Sequence, residues 1–267
     1  MQRRPLLAAS LMLIAAPQVR AQVTSGPLGP LRLGADLALV ESGLAHSLQH
    51  AFGADTGIAV KVVPGPTLAV LDAVRDGEID AALTNAPDAE ASLDKQGLVH
   101  DRRAIAAGEF IIVGPLPPGR GKPPAPSNSS VDVLAHIQEL GAADPAGVVF
   151  LSAGDGSGTH VMEQTLWRTA HIDPAAPWYS IANPRVAFVA QVRARRAYAL
   201  VERGAWAAQG GAPLGIVAEG DPLLVESVHV MRSFRITHPA GKIFVAWIAG
   251  RRGRAIVARY RGYRVPG

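Results

Sequence analysis

The residues best suited to chemistry lie in one run, Ser152-Ala153-Gly154-Asp155-Gly156-Ser157-Gly158-Thr159-His160. It sits between a β-branched stretch, Val148 to Leu151, and helical spacing that resumes at Val161 and Leu166. Glycines let backbone approach a ligand closely. Ser157 and Thr159 bring hydroxyl donors, and a helix start brings unpaired N–H groups with a partial positive potential. Together these features make an anion site. The same residues equally make a capping loop, with Asp155 or Ser157 as N-cap and the glycines serving only the turn. No Gly-Lys-Ser/Thr follows, so this is not a nucleotide phosphate loop. Gly156-Ser157-Gly158 lacks the spacing of a nucleophile elbow. Asp155, Ser157 and His160 crowd too few positions to act in line as orienter, nucleophile and base, so we expect no enzyme activity.

Two further segments occupy similar positions. Pro64-Gly65-Pro66-Thr67 leaves a strand before a helix, and Thr84 with Asn85 leaves another strand before Pro87. Alone, each reads as turn chemistry. Their shared placement matters more, because ligands in open α/β sheets gather at the carboxyl ends of strands.

The elements that position these loops alternate strand and helix. Leu31 to Leu33, Ile58 to Val63 and Ile79 to Thr84 read as strands. Between them lie helices at Ser42 to Phe52, capped by Ser42, and at Leu68 to Val74, ended by Gly77. That β-α-β-α-β order predicts a parallel sheet covered by helices. Phe110 to Val113 forms a further strand, and a proline-rich connection follows from Leu116 to Ser130. Val131 to Leu140 is helical, Leu214 to Val217 and Ser227 to Met231 are strands, and Ile243 opens a C-terminal helix.

Composition narrows the function. The 267 residues include no cysteine, which removes disulfides, thiolate metal sites and cysteine nucleophiles. Residues 1–21 carry Arg3 and Arg4, an apolar run and small residues before Gln22, the order of a secretory signal. The paired arginines leave the export route open between the general and twin-arginine pathways. Without Arg3, Arg4 and Arg20, 23 basic residues face 22 acidic ones, too small a surplus for nucleic-acid binding. His46 and His50 share a helix face without a carboxylate partner, so we expect no metal site and no cofactor. The arginines from Arg251 to Arg264 read as a solvated helix face or a docking surface.

The run from Ser152 to His160 is similar to the Ser-Arg-Gly-Asp-x-Ser-Gly-Thr-His segment of the tungstate-binding periplasmic components of ABC transporters, among the type II periplasmic binding proteins. Asp80 to Pro87, Phe110 to Pro115, Trp178-Tyr179, Ala197 to Leu200 and Glu219 to Leu223 resemble further segments of that family in the same order. The resemblance implies an α/β fold of two lobes, each a mostly parallel sheet flanked by helices, joined by hinge strands. It divides the mature chain into residues 22–113 plus 215–267 as one lobe and 114–214 as the other. It implies a soluble, monomeric, periplasmic protein. Such a protein captures a small oxyanion, tungstate or molybdate, between its lobes and delivers it to a membrane permease.

The resemblance also carries over site residues. Ser157, Gly158 and Thr159 match retained positions of the oxyanion cradle, and Thr67 falls where the family has Gly-Thr-Gly; Thr84 and Asn85 are the remaining strand-end candidates. Two positions depart from the family. Its Thr-Thr-Thr-Ser loop is replaced by Ala35-Asp36-Leu37-Ala38, and its arginine by Ala153. The first change removes hydroxyl donors and places the Asp36 carboxylate near the anion. Arg185, after Asn183-Pro184, either pairs with Asp36, takes over the anion's charge, or is solvated. The departures leave two other readings open. One is a divergent relative that binds a carboxylate- or phosphate-bearing solute, and the other is a sensor or interaction protein that has lost its ligand.

Overall fold

The structure is a computed structural model that describes residues 29–116 and 125–266. The expected signal segment lies outside the described residues, as does most of the proline-rich connection. Three parallel strands begin the fold: β1 (Leu31–Asp36) lies between β2 (Val60–Gly65) and β3 (Ala81–Thr84). Between them run α1 (Leu37–Glu41), α2 (Leu44–Thr56) and α3 (Thr67–Asp76). The expected Ser42 cap is displaced by one residue. Ser42 closes α1, and Gly43, at φ 82°, opens α2. That left-handed angle suits glycine.

After α4 (Pro87–Lys95) comes β4 (Val99–Gly114), far longer than the expected Phe110 to Val113. Its first half pairs antiparallel with β9 (Val225–Ser233), which itself pairs antiparallel with β3. Its second half pairs with β7 (Ala199–Glu202) and β8 (Gly215–Ala218). The chain between β4 and β7 forms α5 (Ser130–Ala143), β5 (Phe150–Ser152), α6 (Gly158–Thr169), β6 (Tyr179–Ile181) and α7 (Phe188–Arg195). β5 and β6 are parallel. α8 (Arg203–Gln209) follows β7, and α9 (Pro239–Ala249), α10 (Arg251–Val257) and β10 (Tyr263–Arg264) close the fold.

The buried side chains define two lobes. Leu31, Leu33, Phe52 and Phe244 gather on one face of the first sheet, and Val70, Val74 and Ile79 on the other. The Phe52 and Phe244 rings meet edge-to-face at 5.1 Å. In the second lobe, Phe110 and Ile112 join Phe150 and Trp167, while Ile111 and Val113 join Leu151 and Val201. Alternate residues of β4 thus feed opposite faces, as strand geometry dictates. Each such burial is worth about 1.5–3 kcal/mol. Residues 215–224, grouped from sequence with the first lobe, contribute Ala218 and Leu224 to the second-lobe core. The cause is β8, which pairs with the far half of β4.

Candidate functional site

β1 ends at Asp36 and turns directly into α1. A polar residue at that corner is an ordinary cap, and Asp36 Oδ1 accepts the Ala38 N–H at 2.9 Å. The other oxygen does more. Oδ2 accepts the Thr67 hydroxyl at 2.8 Å and the Gly158 N–H at 3.0 Å. Thr67 begins α3 and Gly158 begins α6, so the starts of three helices converge on one carboxylate with 0% exposure. Burial pushes the Asp36 carboxyl up, while Gly158, Thr67 and Ala38 pull it back; the net direction is up.

Asn85 completes this hub. Its Oδ1 lies 3.0 Å from the Thr67 hydroxyl, and its Nδ2 is buried without a partner. A hydroxyl has one proton, which goes to the charged acceptor. The Asn85 carboxamide then meets Thr67 as a donor, with its amide oxygen and nitrogen exchanged. A Cβ at position 158 would collide with this carboxamide, so only glycine lets the N–H of α6 approach Asp36.

Ser157 caps α6 and accepts the His160 N–H at 3.3 Å. His160 Nδ1 accepts the Gly156 N–H at 3.0 Å. Ser157 and His160 therefore hold the turn and do not face each other as nucleophile and base. Thr159 is buried beside them.

Thr84 turns elsewhere. Its hydroxyl donates to Glu90 Oε1 at 2.7 Å, inside a network that also holds Arg102 and His229. Arg185 is exposed, and its backbone N–H is held by Asn183 Oδ1 at 3.0 Å. It does not pair with Asp36, whose partners are the donors just named. Gln191 clamps the loop that carries Arg185, accepting the Asn183 N–H and donating to the Asn183 and Val186 carbonyls.

A chamber of about 210 Å³ adjoins the Asp36 hub. Ser157, Thr159 and Arg185 line it, as do Leu37, Ala153, Asp155 and Phe188. Two lining residues were not anticipated, Glu41 and Glu202. Glu41 accepts Gln209 Nε2 at 3.0 Å, and burial raises its carboxyl. Glu202 is 1% exposed, and burial pushes its carboxyl up to about 8, with Asp36 adding to the shift. One signal for Glu202 was present in the sequence, a carboxylate closing the buried strand Ala199–Glu202. Both lobes meet here. The Leu68 N–H donates to the Gly156 carbonyl at 3.0 Å, beside the Gly158–Asp36 bond. Among the described residues, no group of three or more histidine or acidic side chains is placed to hold a metal ion.

The same architecture recurs in known proteins. The tungstate-binding protein TupA of Peptoclostridium acidaminophilum is 29% identical over 240 residues, 87% of this chain and 82% of its own length. A putative ABC transporter anion-binding protein of Haloferax volcanii is 25% identical over 88% of this chain and 70% of its own. The crystal structure of the tungstate ABC transporter from Geobacter sulfurreducens superimposes with a TM-score of 0.68 at 25% identity, covering 86% of this chain and 98% of that one. The expected type II periplasmic-binding-protein fold is the fold observed. Residues 38–251 match the PBP superfamily domain, and the chain belongs to that superfamily.

Proposed function

We propose that the mature chain is a periplasmic, monomeric solute-binding subunit of an ABC importer. It performs no chemistry, closes its two lobes over one small solute and docks on a membrane permease. The relatives support this reading, since their names specify tungstate binding, anion binding and ABC transport. Closure follows from differential contact, because only the closed form lets groups from both lobes touch the solute.

The observation that carries the solute assignment is Asp36. Its carboxylate takes the donors of Ala38, Thr67 and Gly158, which a bound oxyanion would otherwise receive. A second anion about 4 Å away would meet a repulsion of about 4 kcal/mol per unit charge at an effective dielectric near 20. We therefore read the solute as larger than a free tetrahedral dianion. It occupies the adjoining chamber, with a carboxylate or phosphate end toward Arg185 at the rim. The second reading, capture of tungstate or molybdate itself, is favoured by Ser157 and Thr159, whose residues line that chamber.

Calorimetric titration separates the two. The purified mature protein is expected to give no heat beyond dilution with tungstate, molybdate, sulfate or phosphate. An organic solute is expected to bind and reduce the radius of gyration in small-angle scattering. Tight binding of tungstate to the native chain reinstates the second reading. Silence from every solute of both kinds rejects solute capture.

A further inference from the structure

The two ends of the chain's charge are separated in sequence. After Glu226 stand nine arginines and lysines and no acidic residue, while the rest of the mature chain carries 14 basic against 22 acidic residues. The basic segment folds into most of β9 and all of α9, α10 and β10. Some of its cations are paired: Arg232 with Asp101, Arg252 with Asp55 and Arg264 with Glu109. Arg251, Arg254, Arg259 and Arg261 are exposed, and among the described residues none of them has an acidic partner.

These cations adjoin exposed apolar surface. Ile243 is 50% exposed, and Trp247 follows one helical turn along α9, on the same side of the helix. The Trp247 indole N–H and the Arg252 guanidinium both donate to Asp55 Oδ2, at 3.0 and 3.1 Å. Asp55 is the one carboxylate of α2, and Arg252 already neutralises it. Arg252 also lines a groove of about 460 Å³ between α2 and α10, together with Arg259, Tyr260, Ala51 and Ala255. Ile243, Trp247, Arg252 and Arg259 therefore form one strip along the side of the first lobe. None of them lines the chamber beside Asp36, so a partner on this strip does not fill that chamber.

We propose that this strip docks the protein on an anionic phospholipid bilayer, with the arginines on the lipid phosphates, one headgroup seated in the groove between α2 and α10, and Ile243 and Trp247 at headgroup depth. Arginine meets phosphate through a fork of N–H donors. Tryptophan favours the boundary between membrane and water. A helix face that joins cations to apolar side chains lies in the plane of that boundary. Among the described residues no helix is long and apolar enough to cross a membrane, so the contact is peripheral. A bilayer also accounts for the lack of acidic residues after Glu226, because each carboxylate there would repel the phosphates. An acidic protein partner would call for the cations but not for the exposed Ile243. The acidic remainder of the chain is repelled by the same surface, so the charge separation orients the molecule as well as attracting it. The contact is made by these residues alone and does not depend on the solute or on a permease.

The test is vesicle sedimentation with the purified mature protein. At low salt it is expected to bind vesicles of mixed phosphatidylcholine and phosphatidylglycerol, and not vesicles of phosphatidylcholine alone. Binding should fade as salt approaches about 1 M, where the Debye length is about 3 Å. Each arginine near an anionic surface strengthens binding about fivefold. Arg251→Gln, Arg259→Gln and Arg261→Gln together should therefore weaken it about 100-fold. All three side chains are exposed and without acidic partners among the described residues, so the triple variant should melt with the native chain, and lost binding is not lost folding. Removing three charges elsewhere, by Lys95→Gln, Arg168→Gln and Arg195→Gln, should change binding by less than about threefold. A native chain that ignores the anionic vesicles, equal binding to both vesicle types, or a first triple variant that binds like the native chain overturns the proposal. Retention on immobilised poly-glutamate without vesicle binding also overturns it, and reassigns the strip to an acidic protein.

Discussion

The backbone N–H of Gly158 meets Asp36 Oδ2 at 3.0 Å, although 122 residues separate the two in the chain. The bond ties the end of the first lobe's central strand to the start of a second-lobe helix. Beside it, the Leu68 N–H donates to the Gly156 carbonyl. An anion buried among helix starts stabilises them electrostatically, and here the anion is covalently part of the chain. Asp36 thus serves both as the cap of α1 and as a bridge between the lobes.

Replacing Asp36 should separate those roles. Asp36→Ser leaves the Thr67 hydroxyl and the Gly158 N–H without their acceptor, a loss of about 2 kcal/mol. The emptied position should then admit an external anion. Thermal melts with and without tungstate or sulfate check this: the variant's midpoint should rise with the salt and the native chain's should not. A native chain that responds to tungstate as strongly as the variant sinks the idea.

Gly158→Ala probes the same junction through sterics. The added methyl group would collide with the buried Asn85 carboxamide. Either α6 withdraws, breaking the bond to Asp36, or Asn85 is displaced from Thr67. Overpacking of this kind costs about 1–3 kcal/mol. Urea unfolding should report that loss with an unchanged slope, and a variant as stable as the native chain contradicts the packing described.

These contacts also mark how far sequence alone reaches. The β-branched run at β2, the short apolar stretches at β1 and β3 and the glycine after α3 marked out a parallel α/β unit, and the Ser152–His160 segment identified a helix start with anion-binding character. The length of β4 was hidden. His100, Asp101, Arg102 and Arg103 interrupt its apolar pattern, because the pairing with β9 shifts register there and Asp101 sits at φ 56°. A bulge breaks the two-residue period that identifies a strand. The hub was hidden for another reason. Thr67, Gly158 and Asp36 meet only through tertiary folding, and spacing carries no signal for a pair 122 residues apart. Thr84 and Asn85 are neighbours on one strand end, yet one binds Glu90 and the other reaches the hub.

Glu90 governs the acid limit of stability. It is fully buried and accepts Thr84, the Ala86 N–H, Arg102 and His229. Burial opposes its charge, but His229, Thr84 and Ala86 hold the carboxyl below its ordinary value. A lowered folded pKa contributes stability above the unfolded value, about 4.3, and loses it as pH falls further. Melting temperature should therefore drop steeply below about pH 4. Arg102→Met, which removes one partner of a buried pair, should cost about 3 kcal/mol near neutral pH. A melting temperature flat from pH 5 to pH 3 contradicts this account.

Glu202 and Glu226 act in the opposite sense. Burial, with Asp36 adding to it at Glu202 and Glu90, Asp88 and Asp36 at Glu226, pushes both carboxyls up to about 8. Each stays protonated in the folded chain while the unfolded chain ionises near 4.3. Between those values the folded state binds more protons, so stability falls as pH rises, and the fall ends above about 8. With Glu90 acting below 4.3, the two trends place maximum stability near pH 5. The Glu202→Gln and Glu226→Gln double variant should flatten the decline between pH 5 and pH 8, raising the melting temperature most at the alkaline end. Melting curves across that interval in low salt test the sign directly: a native midpoint that climbs with pH, or a double variant with an unchanged slope, shows that the two carboxyls are already ionised at neutral pH.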